Sequence, residues 1–209
     1  PPQAPITPAK AAELRVQGIV LVHALVKRVP SWLPSQPAVL TKLIELWQSA
    51  ERKQRLGQEE HTPLDQLGES KLLVKCFMAY CRFHTQSGKG LGDRQVELLF
   101  LMLPIFSEHS LVNYGFLKAF YLEEVAVTYE PKHKAAIVRH FLTLFSKPSC
   151  PTEDNVHALQ LLVLPLLTEA FKRGEASEML APDIIMTVIT SLLGGEHLPN
   201  YDEALRIEQ

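Results

Sequence analysis

The segment Asn113–Phe145, NYGFLKAFYLEEVAVTYEPKHKAAIVRHFLTLF, contains two helical patterns separated by a turn. In the first pattern Phe116, Leu117 and Phe120 recur at the three- and four-residue spacing of a helix. Pro131 opens the second pattern, because proline is favoured at the first position of a helix. The segment therefore predicts two consecutive helices joined by a short turn.

These two helices differ in how much of their surface is apolar. The first, Asn113–Tyr129, is apolar on most sides, as a helix in the middle layer of a stacked array must be. The second is amphipathic, with an inward face formed by Val138, Phe141, Leu142 and Phe145. One helix enclosed by neighbours beside one with a polar face is typical of layered helical repeats.

The same helical spacing extends outward over most of the chain, whereas the period-2 alternation of strands is rare. Before this segment we expect four helices. The first covers Pro8–Val29 and is capped by Thr7, and the second is opened by Pro37. The third carries Leu73, Cys76, Phe77 and Tyr80 and ends near His84, and the fourth is capped by Asp93 and interrupted at Pro104. After it we expect a helix from Thr152 to Gly174 that Pro165 bends, a helix over Pro182–Leu193, and a last one beginning at Asp202.

The helix starts also recur at a regular distance. Starts near Asp93 and Pro131, and those near Asn113 and Thr152, are about 40 residues apart, which is the HEAT or armadillo period. The predicted fold class is therefore all-α: a HEAT/armadillo-like α-solenoid of stacked antiparallel helical hairpins over residues 1–209, with mobile loops at 52–69 and 85–92. A compact helical bundle is the competing architecture. Because both ends look cut, we expect a fragment of a larger chain.

Composition supports a folded chain with no strong electrostatic preference for a partner. The 46% hydrophobic content is that of a globular protein, and 21 Lys and Arg are balanced by 23 Asp and Glu. This balance gives no reason to expect nucleic acid or an anionic membrane as a partner. Three cysteines, Cys76, Cys81 and Cys150, are too few for a disulfide framework and are interpreted as buried free thiols.

Motifs that carry catalysis or bind a cofactor are not found in the sequence. Ser87–Gly92 is rich in glycine but lacks the Gly-Lys-Ser/Thr ending of a phosphate-binding loop. No zinc-binding His-Glu-x-x-His helix and no Gly-x-Ser-x-Gly nucleophile elbow occurs. We therefore expect no enzyme and assign no catalytic, cofactor-binding or metal-binding residue.

A basic stripe is predicted on the polar face of the helix that Pro131 opens; its members are Lys132, His133, Arg139, His140 and Lys147. The two histidines are two helical turns apart, roughly 10 Å, which is too far for them to share a metal ion. The stripe has two interpretations. It is either a solvated outer face or a docking surface for an acidic segment of a partner.

Four segments of the sequence resemble the TRRAP family of giant pseudokinases related to the phosphatidylinositol-3-kinases. They are Leu72–Arg82, Asn113–Phe145, Leu161–Glu178 and Tyr201–Glu208, so the resemblance extends from Leu72 to Glu208. These are leucine-rich structural segments and contain no catalytic signature. The resemblance implies that the chain is part of the HEAT-like region of such a protein.

The resemblance also implies a function. It predicts a non-catalytic, nuclear scaffold segment of a transcription coactivator subunit in histone acetyltransferase complexes of the SAGA type and of the histone H4 acetyltransferase type. The implied partners are other subunits of the complex and acidic activation domains of transcription factors, with no direct nucleic acid and no membrane. Two alternatives stay open: the HEAT region of an active kinase of the same superfamily, and a generic HEAT adaptor or transport receptor.

Overall fold

The computed structural model describes residues 5–49, 68–88, 92–108, 114–145, 158–179 and 181–186, and within these ranges no β-strand occurs. The helices are α1 Pro8–Arg28, α2 Pro37–Gln48, α3 Glu69–Gln86, α4 Asp93–Met102, α5 Ile105–Glu108, α6 at residues 115–128, α7 Pro131–Phe145, α8 at residues 159–172 and α9 Ala176–Met179, with a further helical segment at residues 182–186. The chain divides into two compact units, Pro1–Leu98 and Leu99–Gln209.

In the first unit, α1 begins where its sequence predicts. The Thr7 hydroxyl accepts a hydrogen bond from the backbone N–H of Lys10 at 3.3 Å, and Pro8 occupies the first helical position. α1 packs against α3, and an ion pair of 3.3 Å joins Arg15 of α1 to Glu69 of α3. The Glu69 carboxylate is buried in the first turn of α3, where the helix dipole favours negative charge.

α2 and α3 supply most of the apolar core of this unit, and α1 adds Ile19 and Val26. Each buries the stripe that its spacing predicted, namely Leu40, Leu43, Ile44 and Trp47 on α2 and Leu73, Cys76, Phe77 and Tyr80 on α3. The rings of Trp47 and Phe77 meet edge to face with their centroids 5.9 Å apart. These two stripes therefore form one interlocked apolar layer.

Helix ends in this part of the chain differ from the prediction by a few residues. Glu69, Thr85 and Gln86 lie within α3, so the predicted loops 52–69 and 85–92 are helical at those ends, and residues 52–67 and 89–91 lie outside the described ranges. The prediction that Asp93 caps α4 is wrong, because Asp93 is the first helical residue. The Gln95 side-chain oxygen instead accepts from the backbone N–H of Gly92 at 2.6 Å.

Proline and glycine interrupt the helices of the chain as their chemistry dictates. Pro104 separates α4 from α5, and Gly174 ends α8 with a φ of 72°. α8 contains the π-helical stretch Leu159–Val163 immediately before Pro165, which has no N–H to donate and whose ring crowds the preceding turn. The predicted disturbance at Pro165 therefore takes the form of a widened turn.

A second π-helical stretch, Phe120–Val125, lies inside α6 and was not predicted. Within this stretch, the buried hydroxyl of Tyr121 donates a hydrogen bond to the Leu99 carbonyl oxygen. Phe106 meets the rings of Tyr121 and Phe141 edge to face, with centroid distances of 5.4 and 6.4 Å. These aromatic contacts join α5, α6 and α7 in the core of the second unit.

A buried lysine also holds this core together. The side chain of Lys134 on α7 is only 1% exposed. Its Nζ donates to the Ala126 carbonyl oxygen of α6 at 2.9 Å and forms an ion pair of 2.5 Å with Glu175, which follows α8. One ammonium group thus connects three segments, because a buried charge is stable only when hydrogen-bonding partners surround it.

The cysteines within the described ranges match their interpretation. Cys76 and Cys81 are buried free thiols, and Cys81 Sγ lies 4.0 Å from the Gln95 carbonyl oxygen. Burial raises the pKa of the Cys76 thiol from its usual 9.0 to about 12. Cys150 lies outside the described residues. We therefore expect Cys76 to remain a neutral, packed side chain at physiological pH.

Replacing the buried lysine, Lys134→Met, is expected to lower the free energy of unfolding by about 1–3 kcal/mol, because the Ala126 carbonyl oxygen and the Glu175 carboxylate lose their partner. Urea unfolding followed by circular dichroism measures the change. The matched control is Lys132→Met at an exposed position of the same helix, for which the change should stay within about 0.5 kcal/mol. Equal effects of the two variants would contradict a structural role for Lys134.

Titration of Cys76 predicts a loss of stability in alkaline solution. In the unfolded chain the thiol ionises above about pH 9, whereas in the folded chain it stays neutral up to about pH 12. The contribution of the neutral thiol to the free energy of unfolding is therefore complete below pH 9 and is lost progressively as the pH rises toward 12. Ionisation of this one thiol lowers the free energy of unfolding by at most about 1.4 kcal/mol per pH unit. Urea unfolding between about pH 8 and 10.5 should show a shallower decline for Cys76→Ala than for the unchanged chain. Parallel curves would refute the prediction.

Candidate partner-docking surface

The basic stripe predicted from the sequence lies on α7, on the side away from its packed face. That packed face buries the three described residues predicted to point inward, Val138, Phe141 and Leu142, whereas the side chain of Phe145 lies outside the described part. Four of the five stripe residues have described surroundings, and Lys147 lies outside the described residues. The structure therefore positions Lys132, His133, Arg139 and His140.

Lys132 is exposed in the first turn of α7 and is paired with a neighbouring carboxylate. Its Nζ lies 2.9 Å from the Glu130 carboxylate, and the Glu130 backbone carbonyl accepts from His133 N–H at the start of the helix. The hydrogen bond and the positive charge of Lys132 lower the pKa of the Glu130 carboxyl. Both side chains are largely solvated, so this pair is weak and easily exchanged.

Arg139 forms the most directional contact of the stripe. Its Nε donates to Asp183 Oδ2 at 2.7 Å and its Nη2 to Oδ1 at 3.3 Å, so the guanidinium holds the carboxylate with two hydrogen bonds. These bonds lower the pKa of Asp183 and raise that of Arg139. Since both side chains remain exposed, the pair fixes the direction of the guanidinium more than it stabilises the fold.

The two histidines of the stripe are half-buried and do not act as a pair. The His140 ring meets Phe100 and Phe141 edge to face, with centroid distances of 5.9 and 5.5 Å. His133 turns its Nδ1 into the protein, where it is buried. His140 is therefore a boundary residue between core and surface, while Lys132 and Arg139 carry the charge of the described stripe.

Sequence reasoning missed the acidic residues that complete this surface. Asp183 lies 44 positions from Arg139, and no pattern in the sequence joins them. Lys134 was also overlooked, although a signal for its burial exists: it lies four residues before Val138 and seven before Phe141, on the inward stripe. Its position at helical spacing with core residues is therefore the one local sign in the sequence that the Lys134 side chain enters the core.

Other chemistry is not assembled in the described part of the chain. Within the described ranges, no group of three or more His, Cys, Asp or Glu side chains is arranged to hold a metal ion. His23 is a half-buried residue on α1, and its pKa is lowered by burial and, to a smaller extent, by the positive charges of Lys75 and Lys27. No helix in these ranges combines the length and apolar character that a membrane crossing requires.

The site's geometry thus consists of two cations on one exposed helix face, each held by a carboxylate. An incoming acidic segment has to exchange with Glu130 and Asp183 rather than meet unoccupied charges. Such exchange conserves the number of ion pairs, so it favours weak, salt-dependent and reversible contact.

Comparison with known proteins extends over nearly the whole chain. The Tra1 HEAT repeat ring region matches residues 3–209. The human transformation/transcription domain-associated protein is 30% identical over an aligned length of 215 residues, which covers 99% of this chain and 5% of the human protein. Probable transcription-associated protein 1 of Dictyostelium discoideum is 28% identical over 207 residues, covering 95% of this chain and 4% of that protein.

A third relative is the transformation/transcription domain-associated protein of mouse, 29% identical over 204 residues, with 93% of this chain and 8% of the mouse protein covered. The chain therefore spans 4–8% of the length of these relatives. No solved structure matches it. The predicted all-α HEAT-type fold class is confirmed, and the chain belongs to the family of the Tra1 HEAT repeat ring region.

Proposed function

We propose that this chain is a non-catalytic scaffold segment of a nuclear transcription coactivator that organises the subunits of a histone acetyltransferase complex and receives acidic activation domains. The observation that carries the proposal is the match of residues 3–209 to the Tra1 HEAT repeat ring region. The relatives named above, a transcription-associated protein and two transformation/transcription domain-associated proteins, support the connection with transcription.

The chemistry of the described residues is suited to such a role. The buried charges of the protein are neutralised by partners within the fold, since Lys134 bonds to α6 and to Glu175, and Glu69 pairs with Arg15. The solvated ion pairs of the basic stripe are by contrast exchangeable. Helical repeats present a rigid surface on which a disordered segment folds as it binds, with modest affinity.

We assign the docking of acidic segments to the basic stripe, Lys132, His133, Arg139, His140 and Lys147. A carboxylate of the partner would replace Asp183 at the two donors of Arg139, and another would replace Glu130 at Lys132. The half-buried ring of His140 contacts Phe100 edge to face, and an apolar side chain of the partner would pack beside these two rings. This arrangement suits segments that alternate acidic and apolar residues.

Substitutions of the basic and of the acidic residues in these ion pairs are expected to change the affinity for an acidic peptide in opposite directions. Lys132→Glu combined with Arg139→Glu should weaken binding of a labelled acidic, amphipathic peptide about 5- to 10-fold, whereas Asp183→Asn should strengthen it about 2- to 5-fold by removing the internal competitor. Fluorescence anisotropy at low and moderate salt measures both effects. Arg94→Gln, which breaks the exposed Arg94–Glu97 pair elsewhere, is the control and should bind normally. Unchanged binding by the double variant would exclude the stripe as the docking surface.

The function of the parent protein is tested by purifying the tagged full-length polypeptide from nuclear extract and identifying the co-purifying proteins by mass spectrometry. We expect acetyltransferase subunits at stoichiometric amounts. Protein kinase activity of the purified parent, or import factors in place of acetyltransferase subunits, would overturn the scaffold proposal in favour of an active kinase or a transport receptor.

A further inference from the structure

Helix α8 exposes an apolar patch on the side opposite its buried face. Leu166 and Ala170 are buried, whereas Leu164 and Phe171 are 38% and 48% exposed. At about 100° per residue, Leu164, Thr168 and Phe171 fall within an arc of about 60°, turned away from the buried pair. These three residues are the outer patch of α8.

The centre of the outer patch is less polar than a threonine suggests. The Thr168 hydroxyl donates a hydrogen bond to the Leu164 backbone carbonyl oxygen at 2.8 Å, one turn earlier in the helix. Because this bond uses the donor of the side chain, its methyl group is left for contact with an apolar group. The outer patch therefore offers a leucine, a methyl group and an aromatic ring along about 10 Å of helix.

The last turn of α8 adds positive charge beside the outer patch. The Glu169 carboxylate lies 3.3 Å from Arg173 Nε and 3.8 Å from Lys172 Nζ, so one anion serves two cations. Lys172 directly follows Phe171, and its side chain is 69% exposed. Since one positive charge of this turn is not neutralised within it, an apolar group with carboxylates beside it fits here better than a neutral one.

The outer patch lies near the first residue of the basic stripe. The ion pair between Lys134 and Glu175 holds the start of α7 against the end of α8. Lys132 lies two residues before Lys134, and Phe171 lies four residues before Glu175. These short helical stretches and the two paired side chains together span at most about 24 Å, which is the length of a helix of about 16 residues.

These features favour one class of occupant, a short amphipathic helix that carries acidic residues. Its apolar side chains at i and i+3 or i+4 match the two turns of the outer patch, and its carboxylates match the charge of Lys172 and Arg173. A contact only about 10 Å long gives modest affinity, which suits a partner that binds transiently rather than a permanent subunit.

We propose that the outer patch of α8 binds the apolar side of an acidic, amphipathic helix of a partner protein, with Phe171 as the main anchor and carboxylates of the partner at Lys172 and Arg173. The inference rests on the proposed function, because the same acidic segments are assigned to the basic stripe. It adds a second contact site, which selects segments by their apolar residues, whereas the stripe selects them by charge. Engagement of both sites by one segment raises its affinity above that of either site.

Two labelled peptides of about 16 residues with equal acidic content test this division on the full-length parent protein. The first carries leucine or phenylalanine at every third or fourth position, and the second carries serine there. We expect Phe171→Ala to weaken binding of the first peptide about 3- to 10-fold and to leave binding of the second unchanged, as measured by fluorescence anisotropy. The matched control is Leu14→Ala at an exposed apolar position of α1, which should bind both peptides normally. Equal affinity of the first peptide for Phe171→Ala and for the unchanged protein, or no binding of it at all, would overturn the proposal.

A photo-crosslinking residue in place of Phe171 in the same full-length protein identifies the occupant directly. The expected product joins residue 171 to an apolar position of the first peptide. A crosslink to another helix of the same polypeptide that persists in excess peptide would show that the outer patch is covered internally and would refute the proposal.

Failure of this inference is distinguishable from failure of the proposed function. If only Lys132→Glu combined with Arg139→Glu weakens binding of the first peptide, the basic stripe stands and the outer patch is rejected. If acetyltransferase subunits are missing from the purified parent, the proposed function is contradicted, whereas a Phe171-dependent affinity for the first peptide still supports the outer patch.

Discussion

Each helix of this chain has an apolar face that it cannot bury alone, and the structure is the consequence of satisfying that constraint. α2 and α3 bring their stripes together through Trp47 and Phe77. In the second unit the aromatic rings of Phe106, Tyr121 and Phe141 do the same for α5, α6 and α7. Short helices with single faces gain stability from neighbours rather than from their own backbone bonds. Repeated packing of this kind is what defines a HEAT-type chain.

Within that apolar framework, a few buried charges add direction to the packing. Lys134 reaches Ala126 and Glu175, and Arg15 reaches Glu69. Hydrophobic contacts accept small displacements, whereas a buried ammonium tolerates only arrangements that provide acceptors within hydrogen-bonding distance. These groups therefore fix how neighbouring helices are placed, even where their net contribution to stability is small.

Ion pairs between basic side chains and carboxylates also occur on the surface, where water surrounds them. Lys132 and Arg139 are also paired with carboxylates, but in solvent, where the pairs exchange readily. Two members of the basic stripe, Lys132 and Arg139, are thus already paired with acidic residues in the structure. Helix α1 provides an apolar counterpart, because Leu14 and Leu21 on its outer side are 51% and 61% exposed. Both surfaces belong to a protein whose relatives are far longer than this chain.

Within the described residues, the sequence by itself predicted the helices to within a few residues at their ends, their buried faces and the family, whereas most of the predicted helix Pro182–Leu193 and the one beginning at Asp202 lie outside the described residues. Helical spacing predicted the stripes of α2 and α3, and proline and glycine predicted the interruptions at Pro104 and Gly174, because these effects arise within a few residues of chain. Only the tertiary structure decided which charges meet. Asp183 joins Arg139 across 44 positions, and Glu175 joins Lys134, because folding rather than local spacing brings them within reach. The π-helical turn in α6 was likewise invisible in the sequence, since tertiary packing overrides the local preference for a regular helix.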